Sequence, residues 1–244
     1  RDRIAGADLV LVSSAHMRDL CVRNGIATDR IAITPPPLPD AAFTAAIAPR
    51  PDVATLLFAS RLTPRKGLRS LLRALARLPL AQRPPLVVAG TGAREEQAAR
   101  AYAAGLGVQV AWRGRLSAAE LRVAIDASWA VAVPSLWPEP FGLVGIEAQA
   151  RGRPAVAYDV GGITDWIAGA GLAVPRDNDL ALASAIRAVC DPDRWTTFAG
   201  AARACAERYR LDAHVDRLVR LCAGETDEFL PTTTRTSIQK RSIA

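Results

Sequence analysis

The chain has 244 residues, half of them hydrophobic, with a net charge of +7 and a pI of about 9.9. This length and apolar content suffice for one large or two small globular domains, and no apolar run approaches the roughly 20 residues of a membrane-spanning helix. The positive charge is spread along the chain without basic segments interleaved with aromatic residues. It therefore argues against nucleic-acid binding and leaves nucleotide phosphates or an anionic lipid surface as partners.

The first 34 residues predict a small strand, helix, strand unit. A strand over residues 8–13 precedes a helix that ends near Gly25, and a second strand covers residues 31–34. Four prolines then crowd residues 35–39. Because proline excludes helix and stiffens the chain, we expect residues 35–50 to form a linker between domains.

Six short apolar runs bounded by Gly, Pro or Ser predict buried parallel strands in a main domain over residues 51–210. They cover residues 56–60, 86–90, 108–112, 129–134, 154–158 and 172–174. Helical patterns lie between them, including apolar residues at helical spacing from Leu68 to Leu78 and a capping box of Ser117 and Glu120. Strands and helices in alternation predict an α/β fold with a doubly wound, Rossmann-like parallel sheet.

An amphipathic stretch over residues 211–223 predicts a final helix, and the polar, Thr-rich residues 224–244 predict a disordered tail. The four cysteines are widely spaced and form no CxxC pair. We expect them to be reduced, with no zinc site. We interpret His16 and His214 as structural or exposed.

The most informative motif is PSLWPEPFGLVGIEA, residues 134–148. Glu139 lies in the loop after a buried strand, and Glu147 lies on the helix that opens near Gly142. Ligands bind beyond the carboxyl ends of parallel strands, and a helix N-terminus offers free N–H groups to a phosphate, which Gly142 leaves accessible. The simpler alternative is that Glu139 caps the helix and Glu147 lies on a solvated face.

This motif resembles that of the retaining glycosyltransferases of family 4, the glycosyl transferases group 1, whose GT-B fold consists of two facing Rossmann-like domains. The resemblance implies that Glu139 contacts hydroxyls of the donor sugar and that Glu147 binds the ribose hydroxyls of the nucleotide. It also implies that four of the residues between them face the sugar and the diphosphate. These are Phe141, Gly142, Leu143 and Val144.

A second motif, SRLTPRKG at residues 60–67, is similar to a family segment in which Gly-Arg is followed by Lys-Gly, with Ser60 replacing the usual glycine. By this resemblance Arg61 and Lys66 neutralise the donor diphosphate and, with Glu139, act in catalysis. Fixed cations stabilise the negative charge that the leaving group gains. We therefore expect neither a metal ion nor a cofactor. A surface pair of cations is the simpler alternative.

A third similar segment runs from Gly152 to Pro175 and includes the pair Gly161-Gly162. Asp165 stands where family members commonly have glutamate. Alone, such a pair of glycines is more typical of a turn, but beside the other two motifs it favours contact with the donor. The segment Gly90-Thr91-Gly92 lacks the third glycine of a dinucleotide-binding motif and predicts no such site.

The resemblance covers residues 8–222 and implies transfer of a sugar from a nucleotide-sugar to a saccharide, lipid-linked or small-molecule acceptor, with retention of configuration. Complete family members begin with an acceptor-binding domain, of which residues 1–34 would be the closing segment. We therefore expect a donor-binding half with a truncated N-terminal domain. The alternative is a non-catalytic nucleotide-sugar-binding module, or half of a split enzyme whose partner chain supplies the acceptor domain.

Without the acceptor domain, residues 1–34 and the final helix would each expose an apolar face, which favours association with a partner. The charged residues 1–4 lack the layout of a signal peptide, so the expected location is the cytoplasm. Arg69, Arg73 and Arg77 share one helix face. These arginines could contact anionic lipid at the inner membrane face, and the simpler alternative is that they form a solvated helix face.

Overall fold

The computed structural model describes residues 4, 6–44, 46–225 and 229. The strands are β1 (Val10–Val12), β2 (Ile31–Ile33), β3 (Leu56–Ala59), β4 (Leu86–Ala89), β5 (Val110–Gly114), β6 (Ala130–Val133), β7 (Ala155–Tyr158) and β8 (Gly171–Val174). The helices are α1 (Ala15–Arg23), α2 (Leu68–Ala76), α3 (Ala93–Gly105), α4 (Ala118–Asp126), α5 (Leu143–Ala150), α6 (Thr164–Ile167), α7 (Asp179–Val189), α8 (Pro192–Ala206) and α9 (Leu211–Cys222).

The main sheet has six strands, all parallel, in the order β5-β4-β3-β6-β7-β8. Counted from β3, this is the 3-2-1-4-5-6 order of a Rossmann fold. Every residue of β6 and β7 is buried. Because successive side chains of a strand point to opposite faces, both faces of the sheet are covered there. The predicted α/β fold with a doubly wound parallel sheet is confirmed.

The predicted elements lie close to the observed ones. The capping box at α4 is present, with the Ser117 side chain accepting from the Glu120 amide and the Glu120 carboxylate accepting from the Ser117 amide. The largest displacement of a main-sheet strand is at β5, predicted at residues 108–112 and observed at Val110–Gly114. There the shift leaves Val108, a buried apolar residue, in the short segment between the turn at residues 106–107 and the strand.

The N-terminal residues form a parallel β1-α1-β2 unit in which Val10 pairs with Ile31. Apolar packing and hydrogen bonds join the unit to the main domain. The Ser13 hydroxyl donates to the Pro140 carbonyl over 3.1 Å, and the Ala15 amide donates to the Asp165 carboxylate over 2.6 Å. The start of α1 therefore lies against the loops of the main domain.

The proline-rich segment after β2 runs beside the segment that leads into α9. The Leu38 amide donates to the Tyr209 carbonyl over 2.7 Å, and the His214 ring lies 3.1 Å from the Pro35 carbonyl. Buried Arg153 donates to the carbonyls of Ala48 and Pro49. These contacts hold the segment against the body of the protein, whereas its assignment as an interdomain linker stays a prediction.

Apolar side chains are exposed on the β1-α1-β2 unit and on α9. They are Leu9, Leu11, Leu20 and Val22 on the unit, and Leu211, Val215 and Val219 on α9. The last three are spaced by four residues and share one helix face. Of the predicted tail at residues 224–244, most lies outside the described residues, although Phe229 is described and packs against Tyr209.

Two arginines of the predicted face, Arg69 and Arg73, pair with acidic side chains of the same chain, whereas Arg77 is exposed just beyond the end of α2. Arg73 lies 2.5 Å from Asp179, and Arg69 lies 3.1 Å from Glu95. These ion pairs offset part of the positive charge and support the interpretation of a solvated face. Within the described part of the chain, no helix combines the length and apolar character needed to cross a bilayer.

Trp166 packs against α5 and contacts the residues at the start of this helix. The indole is fully buried, and its Nε1 donates to the Phe141 carbonyl over 2.6 Å. Gly145 of α5 lies flat on this ring, because a Cβ added there would come within 2.0 Å of the indole. The lack of a side chain at this position therefore sets how closely the helix approaches Trp166.

Gly145→Ala is expected to lower the free energy of unfolding by about 1–3 kcal/mol, because the added methyl group overpacks the Trp166 ring. Denaturant unfolding of the variant and the wild type measures the difference. Gly200→Ala is the matched control, since a Cβ there meets nothing within 4 Å. That helical site should lose no stability and can gain roughly 0.5–1 kcal/mol. Equal responses of the two variants would contradict this packing account.

Candidate functional site

A cleft of about 400 Å³ opens at the carboxyl ends of β3 and β6. These are the central strands between which the strand order of the sheet reverses. Rossmann-like folds bind ligands in the crevice outside the carboxyl ends of the strands at such a point. Six of the eight predicted site residues line the cleft. They are Lys66, Glu139, Phe141, Gly142, Leu143 and Val144.

Glu139 is the buried acid of this cleft, with 7% of its surface exposed. Two donors meet at its Oε1, namely the Lys66 Nζ at 2.5 Å and the Ser135 hydroxyl at 2.6 Å. A charge-assisted contact shielded from water is stronger than the same contact on the surface. The alternative that Glu139 caps α5 is wrong, because this helix has no side-chain cap.

The loop after β3 carries Lys66 to Glu139, although the two residues are 73 positions apart in sequence. Gly67 makes this approach possible. Its φ is 73°, and a Cβ there would lie 1.8 Å from the Pro134 carbonyl oxygen at the end of β6. The Leu136 amide also donates to the Arg65 carbonyl over 2.8 Å. Backbone contacts thus hold the loops that follow β3 and β6 directly against each other.

The N-terminus of α5 forms another part of the cleft lining. Gly142 precedes the helix with a φ of 92°, a left-handed conformation that favours glycine. Because no side chain caps the helix, the first backbone N–H groups remain available to a ligand. The helix dipole adds partial positive charge at this end. The cleft therefore combines an ammonium group, Lys66, with a helix N-terminus suited to an anion.

Phe141 and Leu143 differ in how they meet the cleft. Phe141 is buried and contacts Tyr209 edge-on, with 5.6 Å between the ring centroids. Leu143 is 47% exposed at the first position of α5. At the start of the helix, Phe141 is thus packed against the protein interior and Leu143 is accessible to solvent.

Glu147 lies one turn beyond the start of α5 and does not belong to the cleft lining. It is partly buried, and this burial raises its pKa above the ordinary value of 4.5, while the positive charge of Arg122 opposes the shift. The alternative of a fully solvated position does not fit such burial. A carboxylate kept in these surroundings is costly unless a ligand or a protein group binds it.

Arg61 is exposed and does not belong to the cleft lining. Its guanidinium has no hydrogen-bond or ion-pair partner among the residues that the structure describes. The structure therefore brings Lys66 into the cleft and leaves Arg61 outside it.

The pair Gly161-Gly162 lies behind the Glu139 loop and outside the cleft lining. The Gly162 amide donates to the Glu139 carbonyl over 2.7 Å, and a Cβ at Gly161 would lie 2.3 Å from the same carbonyl oxygen. These glycines allow two loops to pack tightly. Their observed contact is with the protein backbone, which supports the position of Glu139.

Ser13 and Ser135 also line the cleft, although no motif in the sequence predicts a role for either hydroxyl group. Ser135 stands within the motif but had no partner that spacing could suggest. Ser13 directly follows β1, and polar residues at the carboxyl end of a strand are the general indication that could have identified it. The unit that contains Ser13 is held by Asp165, whose burial raises its pKa, while the amide of Ala15 opposes the shift.

The described residues include no group of three or more His, Cys, Asp or Glu side chains arranged to hold a metal ion. The expectation that no metal or cofactor is needed stays a prediction.

Comparison with known proteins places this chain in a family. The family model described as "Glycosyl transferases group 1" matches residues 42–198. The chain is 32% identical over 241 residues to a D-inositol 3-phosphate glycosyltransferase of Acidothermus cellulolyticus, covering 89% of this chain and 53% of that protein. It is 33% identical over 126 residues to an uncharacterized glycosyltransferase, MJ1607, of Methanocaldococcus jannaschii, covering 51% of this chain and 32% of that protein.

Solved structures give the same result for the fold. Sucrose-phosphate synthase from Thermosynechococcus elongatus has a TM-score of 0.76 at 28% identity, with coverage of 90% of this chain and 59% of that one. Anabaena Alr3699/HepE, solved in complex with UDP-glucose, has a TM-score of 0.78 at 21% identity and shows similarity of fold alone. The chain spans about half or less of the length of the two curated relatives named above. Its match over most of the main domain shows that the chain belongs to the glycosyl transferases group 1 family, with a Rossmann-like domain of the GT-B type.

Proposed function

We propose that the cleft binds a nucleotide-sugar and that the chain serves a retaining glycosyltransferase as its donor-binding part. The observation that carries this proposal is the contact of Lys66 with Glu139 beside the uncapped N-terminus of α5. A nucleotide-sugar presents a diphosphate next to a ring of hydroxyl groups. The cleft offers cationic and N–H donors for the former, and a buried carboxylate that can accept from the latter.

The diphosphate is assigned to Lys66 and the start of α5. Free N–H groups of Leu143 and Val144 and the ammonium of Lys66 would surround its oxygens, and Gly142 leaves room for their approach. As the bond from sugar to diphosphate breaks, the leaving group gains negative charge. Donors already fixed around it stabilise this change without reorganisation. On this proposal neither a metal ion nor a cofactor is required.

The sugar is assigned to Glu139, whose carboxylate would accept hydrogen bonds from the hydroxyl groups. Retention of configuration rests on the resemblance to the family-4 enzymes, as does the choice of a saccharide, lipid-linked or small-molecule acceptor. The UDP-glucose named for the Anabaena protein supports the donor class. The exposed apolar residues of the β1-α1-β2 unit and α9 support a further segment or chain that completes the acceptor side.

The nucleotide ribose is assigned to Glu147, and the outer approach to the diphosphate is assigned to Arg61. Two vicinal hydroxyl groups can donate to the two oxygens of one carboxylate, which accounts for a partly buried acid without an ion-pair partner among the described residues. The exposed Arg61 can reach an anion only from the solvent side, where its contribution is smaller than that of Lys66.

Lys66→Ala is expected to weaken binding of a nucleoside diphosphate by about 1.5–3 kcal/mol, the range for a hydrogen bond to a charged group. Arg61→Ala should act in the same direction by less than about 1 kcal/mol. Calorimetric titration with UDP, GDP and ADP, and with the matching nucleosides, measures both effects. Arg77→Ala removes an exposed cation at the far end of α2 and is the control. Equal losses for a nucleoside and its diphosphate would refute the assignment to phosphate.

Glu147→Gln is expected to reduce the preference of the protein for ribonucleotides over deoxyribonucleotides by about tenfold, because one of the two acceptor oxygens becomes an NH2 donor and the remaining hydrogen bond is no longer charge-assisted. The measurement is the ratio of the two dissociation constants in wild type and variant. A wild-type chain that binds both sugars equally would give Glu147 another role.

The same substitution should stabilise the protein without ligand. The pKa of Glu147 is higher in the folded than in the unfolded chain, so its contribution to stability is present at low pH and is lost as the pH rises through that pKa. At neutral pH the wild type therefore carries a desolvated charge that Glu147→Gln lacks. Thermal unfolding should give the variant the higher midpoint at pH 7, with the difference shrinking as the pH falls towards 4.5. A lower midpoint at pH 7 would contradict the stated effect of burial.

A further inference from the structure

Two donors share the Glu139 Oε1, and one of them is the cation that the proposed function assigns to the diphosphate. Lys66 lies 2.5 Å from this oxygen and Ser135 lies 2.6 Å from it. The ammonium group has three N–H donors, and a phosphate bound in the cleft would compete with the carboxylate for them. Donor binding therefore changes the surroundings of Glu139.

Lys66 is the partner that can move. Its side chain is 26% exposed and ends a flexible four-carbon stem. A diphosphate carries more negative charge than one carboxylate and attracts the ammonium group more strongly. Glu139 has only 7% of its surface exposed, so loss of Lys66 would leave a buried carboxylate that water cannot fully solvate. It then depends on its remaining donor.

Ser135 is the partner that stays in place. It is 2% exposed, and both neighbouring residues are held by the loop after β3. The Pro134 carbonyl abuts Gly67, and the Leu136 amide donates to the Arg65 carbonyl. The Ser135 backbone is thus held at the end of β6 by contacts that do not involve the Lys66 side chain, and its buried hydroxyl group stays within reach of Glu139.

We propose that Ser135 is a positioning residue, which keeps the Glu139 carboxylate aimed at the donor sugar when Lys66 moves to the diphosphate. The inference rests on the proposed function. On this proposal, binding of the diphosphate and binding of the sugar are coupled. The diphosphate draws Lys66 away from Glu139, and the Oε1 oxygen can then accept a hydrogen bond from a sugar hydroxyl. Ser135 then holds the carboxylate in one orientation.

The test compares Ser135→Ala with Ser135→Thr, which retains the hydroxyl group. Calorimetric titration uses UDP, GDP and ADP beside UDP-glucose, GDP-mannose and ADP-glucose. Ser135→Ala should weaken binding of the nucleotide-sugar that the wild type prefers by about tenfold. Binding of the corresponding nucleoside diphosphate should weaken by less than about twofold. Ser135→Thr should restore sugar binding to within about threefold of the wild type. The control is Ser128→Ala, which removes another buried hydroxyl, bonded to the Ala124 carbonyl far from the cleft.

The outcomes separate the inference from the proposed function. Equal weakening of nucleotide-sugar and nucleoside diphosphate, no weakening of either, or failure of Ser135→Thr to restore binding would overturn the role of Ser135 alone. A wild type that binds none of the six compounds would overturn the proposed function, and the inference with it.

A second measurement uses the wild-type chain and does not depend on the folding of a variant. The chain has two lysines, Lys66 and Lys240, so NMR of isotope-labelled lysine ammonium groups gives two signals. The diphosphate that binds should shift the Lys66 signal, and the nucleoside without phosphate should not, with Lys240 as the internal reference. A Lys66 signal unmoved at saturating diphosphate would show that Lys66 stays on Glu139, which contradicts the exchange.

Discussion

The site depends on the close backbone contact between the loops that leave β3 and β6. Gly67 allows it, since any side chain at this position would collide with the Pro134 carbonyl. The contact brings Lys66 and Glu139 together at the point where the strand order reverses. The sheet order determines which loops are neighbours, and the absence of one Cβ determines how near they come. The chemistry of the cleft follows from these two constraints.

Near this contact, the protein contains polar groups that suit a ligand but lower its stability when no ligand is bound. Glu147 is partly buried and has a raised pKa, and the N-terminus of α5 has no side-chain cap. Each feature carries a free-energy cost without ligand, because desolvated charge and unpaired backbone donors are unfavourable. The packing of Trp166 against Gly145 and Phe141 holds the same segment rigid. Rigid support beneath costly polar groups is the arrangement expected of a preorganised binding site.

Much of the fold could be predicted from the sequence, since the parallel strands are short apolar runs between Gly, Pro and Ser. The direct contact of Lys66 with Glu139 could not be predicted from the sequence, because it depends on which strands become neighbours. The outward position of Arg61 could not either, since the spacing of a motif does not give the direction of a side chain in a loop. Gly161-Gly162 correctly suggested a tight loop, which packs on the Glu139 backbone, whereas its contact with the donor stays a prediction. Such packing involves residues far apart in sequence.

The central claim is that a nucleotide-sugar occupies the cleft between Lys66, Glu139 and the start of α5. The most direct test is a crystal structure of the chain with the nucleotide-sugar for which it has measurable affinity. We predict diphosphate oxygens within hydrogen-bond distance of the Lys66 ammonium and of the first N–H groups of α5, with a sugar hydroxyl on Glu139. A ligand bound elsewhere, or one whose diphosphate lies away from Lys66, would contradict the account.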